Sequence, residues 1–189
     1  MTNPNIVVNP ERISLTKKQL LWHYSVPFFF LIVPLANLWS IIQHYVFDDY
    51  KGVVEPKDLL LISVIFIFVA ILLFFLQRNR LKFKEFRTYF TDSSFDKALS
   101  KTSGDLKWIV LEKKRNYVRA YRDWSWSGSW GELITIKKDK GRVLINSICN
   151  PDAMFISAIS YGWNKKNVRT FIDNLSSQSE EGDMIPDNG

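Results

Sequence analysis

Cysteine occurs once in these 189 residues, at Cys149. That excludes an intramolecular disulfide and any metal site built from several thiolates, and it suits a reducing compartment. Histidine occurs twice, at His23 and His44, and nowhere after residue 44. There is no glycine-rich phosphate loop, no nucleophile elbow and no cluster of metal ligands. Cys149 therefore lacks a downstream histidine partner and reads as a small apolar residue at a strand end. Carboxylates stand singly, so a working acid–base pair would have to be assembled by folding. These absences point away from an enzyme and imply no cofactor.

Charge is missing from one long stretch. Leu59–Leu76 (LLLISVIFIFVAILLFFL) holds one polar residue, Ser63, and no ionisable group. At 1.5 Å per residue it spans about 27 Å, close to the hydrocarbon thickness of a bilayer. A second apolar stretch runs from about Leu20 to Phe47, with its helix over roughly 21–46. Trp22 and Tyr24 sit near one end and Trp39 and Tyr45 near the other, the distribution of an aromatic belt at two interfaces. Pro27 and Pro34 are tolerated in a membrane helix but should kink it. A cleaved signal peptide fits poorly, because the run begins some 20 residues in and lacks a small-x-small site. The polar connection 48–58, with Gly52 and Pro56, makes the two helices antiparallel neighbours. Asn37 is the strongly polar residue deep in the first span, suited to an interhelical hydrogen bond with Ser63 or with a second copy. His23 and His44 stand about 31 Å apart along one helix and cannot share a metal or a proton.

The flanks give an orientation. Arg12, Lys17 and Lys18 precede the first span, and Arg78, Arg80, Lys82, Lys84 and Arg87 follow the second. The connection holds only Lys51 and Lys57 among four acidic residues. The positive-inside rule then puts both termini, including the segment 1–19, in the cytoplasm and 48–58 outside.

Residues 78–175 carry 20 basic and 10 acidic side chains, whereas 176–189 carry four acidic ones and no basic one. The 78–175 segment reads as a basic cytoplasmic domain and 176–189 as a disordered acidic tail. The linker 77–90 (QRNRLKFKEFRTYF) interleaves cations with apolar residues and reads as a continuation of the second helix lying on headgroups. A helix follows, opened by a capping box at Ser93 and Asp96, lined by Phe95, Ala98, Leu99 and Thr102, and closed by Gly104. Strands are expected at 107–112, 117–122, 130–136 and 142–149, with turns at 113–116 and 137–141. Asn164 caps a last helix whose Val168, Phe171, Ile172 and Leu175 fall on one stripe. The fold class predicted is a membrane helical hairpin plus an α+β domain. Its four-stranded antiparallel sheet would carry two helices on one face and leave the other face open.

The stretches FDKALSKTSGDLKWIV, GELITIKKDKGRVLINSI and GWNKKNVRTFIDNL, the last with its Gly162–Trp163–Asn164 turn before Lys165 and Lys166, resemble helix-grip-like bacterial domains. Similar domains occur in envelope-assembly lipoproteins, from which this chain departs in having membrane helices in place of a lipidated cysteine. The whole arrangement resembles a family of two-pass bacterial membrane proteins, which implies a bacterial inner membrane as the location. The resemblance covers about half the chain and implies a fold but no catalytic residues.

Two surfaces stand out. WSWSGSW places Trp124, Trp126 and Trp130 in or beside one loop, preceded by Arg119 and Arg122. Indole and guanidinium together suit a headgroup zone, a packing role over the sheet edge, or a bound partner. Lys113, Lys114, Arg115, Lys137, Lys138, Lys140 and Arg142 lie on turns at one end of a meander, as a solvated surface or as a patch for phospholipid or protein. Membrane lipid is the first expected partner, with a protein or a second copy next. Nucleic acid is disfavoured because no recognition module appears. Three functional classes stay open: a non-enzymatic membrane-anchored binding module, an interaction protein such as an immunity factor, and a membrane enzyme of unrecognised site.

Overall fold

The computed structural model of the chain describes residues 6–125, 131–139, 141–152, 160 and 162–183. The chain divides into two compact units, Thr16–Arg80 and Met1–Leu15 with Leu81–Gly189.

The first unit is helical. α1 (Lys17–His23) opens on Thr16, which forms a capping box with Gln19. α2 (Ser25–Phe30) and α3 (Ile32–Tyr45) follow, and α4 (Pro56–Arg80) returns. The breaks fall at Tyr24 and Leu31, three residues before Pro27 and Pro34. A proline has no N–H to give the carbonyl four residues back and its ring clashes with it. Each proline thus comes to rest in the first turn of the next helix, where its missing donor costs nothing.

The segments Ser25–Tyr45 and Pro56–Arg80 are long and apolar enough to cross a membrane. On α4, Leu61, Val64, Phe68, Leu72 and Phe75 are 51 to 67% exposed. A core helix of a soluble domain would cover such residues with protein. Asn37 donates to Ser63 Oγ at 3.2 Å, and Ser63 donates to the Leu59 carbonyl at 2.7 Å. The polar pair anticipated within the hairpin is therefore formed inside one chain.

The second unit is α+β with a six-stranded antiparallel sheet, two strands more than predicted. The strands are β1 (Ile6–Arg12), β2 (Lys82–Arg87), β3 (Trp108–Lys114), β4 (Tyr117–Arg122), β5 (Glu132–Asp139) and β6 (Arg142–Cys149), in the order β1-β2-β6-β5-β4-β3. The expected meander occupies β3 to β6. Segment 82–87 is not a helix on headgroups: α4 stops at Arg80, and β2 begins after Leu81 alone. Both faces of β2 are covered, so Phe83 and Phe86 are buried on opposite sides. Their three-residue spacing looks helical but arises from burial of both faces. The segment 1–19 is likewise more than a tail, because it supplies the edge strand β1.

α5 (Asp92–Leu106) and α6 (Trp163–Asp183) lie on one face. The apolar stripes read from the sequence, Phe95, Ala98 and Leu99 with Val168, Phe171, Ile172 and Leu175, pack on Val118, Ile134, Ile136, Val143 and Ile145. Three boundaries differ from expectation. Thr91 and Ser94, rather than Ser93 and Asp96, form the capping box of α5. Gly104 lies inside α5, which ends on Lys107 in the left-handed conformation (φ 56°, ψ 46°). α6 starts at Trp163, with Asn164 accepting a bond from Ser147 instead of capping, and it continues to Asp183.

The face opposite the helices is not open. Phe83, Leu133, Leu144 and Ile148 are buried there. A bulge between Val8 and Arg12 turns the end of β1 over this face, which lets Glu11 pair with Lys137 of β5. Pro10, which cannot donate to a ladder, sits in that bulge.

Candidate functional site

The registers define two ends of the sheet. Lys82, Cys149, Glu132, Arg122 and Trp108 mark one end, and the 115–116 turn and Gly141 lie at the other. Both connections to the helical unit leave from the first end: β1 finishes there at Arg12, with four residues between it and α1, and β2 begins there one residue after α4.

A groove of about 610 Å³ opens at this same end, lined in part by Asp105, Lys107, Arg122, Asp123, Trp124 and Lys166. Its base is held by Arg122. This residue is buried, and its guanidinium donates to the Leu106 carbonyl at 3.1 Å, to Glu132 at 3.4 Å and to Ser125 at 3.3 Å. It also lies 3.6 Å from the centre of the Trp163 ring, which Lys166 approaches at 4.3 Å. Glu132 is fully buried and sits directly opposite Arg122 across β4 and β5. The pair therefore staples both roots of the intervening loop. Behind it runs a buried polar chain: Trp108 Nε1 donates to Asn167, Asn167 Nδ2 donates to Ser147, and Ser147 donates to Asn164.

The predicted aromatic–basic residues thus part company. Trp124 is 50% exposed at the groove mouth. Arg122 is turned inward and cannot offer its guanidinium to a headgroup. Arg119, opposite Thr135, projects from the other face of the sheet. Trp126 and Trp130 lie outside the described residues. Lys107 and Trp163 also belong to the groove; the sequence marks Trp163 only as part of the turn before Lys165 and Lys166, and gives no sign of Lys107.

Lys82 and Lys84 project from β2 on the helix-bearing face. Burial, with the nearby Lys165, pushes the Lys84 ammonium below its ordinary value. Arg78 and Arg80 close α4.

The second predicted patch is at the far end. Its two turns are adjacent, since the Lys138 N–H donates to the Asn116 carbonyl at 3.1 Å. The lysines, however, are already matched: Lys113 with Asp96, Lys114 with Glu112, Lys137 with Glu11, and Lys138 with Asp92. Arg142 bonds Asp139, Arg115 is exposed, and Lys140 lies outside the described residues. Each of these lysines has a carboxylate neighbour, so the net charge of this end is lower than its count of lysines suggests.

Among the described residues no group of three histidine, cysteine or acidic side chains could hold a metal. No family model, curated protein or solved structure matches this chain.

Proposed function

We propose that this protein is a non-enzymatic membrane-anchored module that engages phospholipid headgroups with the Trp124 end of its α+β unit. The membrane we assign is a bacterial inner membrane, from the resemblance to two-pass bacterial membrane proteins, with both termini cytoplasmic on the strength of the basic flanks. The observation that carries the reading is the polarity of the sheet. The groove with its exposed indole and cations shares one end with both covalent connections to the apolar helices, while the ion-paired turns occupy the other. Indole favours the headgroup zone, and cations there meet lipid phosphate.

The test uses the full chain in proteoliposomes. A spin label on Trp124→Cys, in a Cys149→Ala background, is expected to report headgroup depth, whereas one on Arg115→Cys reports bulk water. Equal aqueous exposure of the two labels defeats the reading.

One feature favours a protein partner as a second reading. β3 is a free edge strand on which Ile109, Val110 and Leu111 are 44, 40 and 58% exposed. Such an edge invites strand addition. Amide exchange along β3 that slows on raising the protein concentration in detergent would support pairing with a second copy.

A further inference from the structure

Two carboxylates and two ammonium groups share the groove without neutralising one another. Asp105, Lys107, Asp123 and Lys166 are all exposed and all line it. Among the described residues, the ion pairs include none of these four. At the opposite end of the same unit, Lys113, Lys114, Lys137 and Lys138 each take a carboxylate. The groove's buried pair, Arg122 with Glu132, is neutral as a unit. What remains is balanced, separated charge of both signs beside an exposed indole face. A purely anionic ligand would meet two carboxylates there, and a purely cationic one would meet two ammonium groups. A ligand with a phosphate and an ammonium a short distance apart satisfies both sets, since each charge finds a charge-assisted partner and the ammonium also finds a π face.

We propose that the groove takes the headgroup of an aminophospholipid. Lys107 and Lys166 hold the phosphodiester, and the ammonium lies against Asp105, Asp123 and the Trp124 ring. This rests on the headgroup reading above and narrows it. The same chemistry exists in the soluble headgroup glycerophosphoethanolamine, so the experiment includes that source.

The test is native mass spectrometry of the delipidated full chain in detergent, titrated with phosphatidylethanolamine and, separately, phosphatidylglycerol. Phosphatidylethanolamine is expected to bind about tenfold more tightly, a difference one well-placed charged contact supplies. Asp105→Asn with Asp123→Asn should bring it down to the level of phosphatidylglycerol, whose binding is unchanged or stronger. Lys107→Gln with Lys166→Gln should weaken both lipids. Both pairs are exposed, and circular dichroism checks that the fold persists; should either pair unfold, its single variants are read for the same shifts. Equal affinity of the wild type for the two lipids overturns the assignment, as does a preference that survives removal of both carboxylates. Displacement of the lipid by an equimolar amount of the soluble headgroup overturns the lipid as its source. Failure to retain either lipid overturns the headgroup reading as well.

Discussion

Lys107 offers a sharp test of whether the groove or the fold dictates its sequence. It terminates α5 in the left-handed region, its N–H donating to the Ser103 carbonyl. A side chain bearing Cβ costs about 1 kcal/mol more than glycine in that conformation, which is why glycine dominates such helix ends. Lys107→Gly should therefore stabilise the α+β unit by about 1 kcal/mol, equivalent to a rise in Tm of roughly 4 °C for a unit of this size. Gly104 supplies the control. It lies within α5 with no atom inside 4 Å of where a Cβ would stand, so Gly104→Ala should stabilise by a similar ~1 kcal/mol. Thermal unfolding of the full chain in detergent, followed by loss of near-ultraviolet dichroism, reads both. Lipid titration then separates them: Gly104→Ala leaves headgroup binding intact, and Lys107→Gly weakens it. If Lys107→Gly destabilises the protein, the left-handed cap is not strained and the argument fails. If it stabilises and binding is untouched, the ammonium has no part in the groove.

Other outcomes follow from the buried polar groups. Arg122→Ala strips the partner from the fully buried Glu132 and should cost about 3–5 kcal/mol in chemical denaturation; a loss under 1 kcal/mol would show that water reaches that carboxylate. Glu85 is buried between β1 and β6, accepts from Arg87 at 2.7 Å and Asn9 at 2.6 Å, and has Arg142 nearby, so its carboxyl is held below the ordinary value of 4.5. A group with a depressed folded-state pKa adds stability above its unfolded value and loses it as pH falls through the folded one. The wild type should thus lose stability below about pH 4.5 more steeply than Glu85→Gln, and parallel acid titrations of the two would contradict this. In the hairpin, Asn37→Leu removes the bonds to Ser63 and to the Leu59 carbonyl and should weaken helix association by about 0.6 kcal/mol, measurable by steric trapping in bicelles; no change would show that these bonds add nothing to helix association.

Much of the fold is legible locally. The uninterrupted apolarity of Leu59–Leu76, the stripes of α5 and α6, and the hairpin-linked strands β3 to β6 all involve contacts between neighbours in sequence, and periodicity reports such contacts directly. β1 and β2 escaped for the opposite reason. Asn9 and Glu85 touch across 76 positions, and no short window contains both. A bulge and Pro10 further disguise β1, while burial of both faces erases the alternation of β2. The site was half legible. Trp124 and Arg122 attract notice by composition, but whether a cation faces water or a neighbouring ring depends on strand parity and on α6 arriving from forty residues downstream. The lysine-rich turns were placed together correctly, yet the acids that neutralise them, Glu11 and Asp92, come from elements remote in sequence.

The pairing of β1 with β2 has a bearing on how the protein is made. β1 leaves the ribosome first, yet its partner follows only after two apolar segments have emerged. Until β2 has been made, the strand has no neighbour in the sheet. Closure of the sheet therefore requires the chain between Arg12 and Lys82 to set out from and return to the same end of the sheet, and a chain that failed to return would leave β2 without its outer partner.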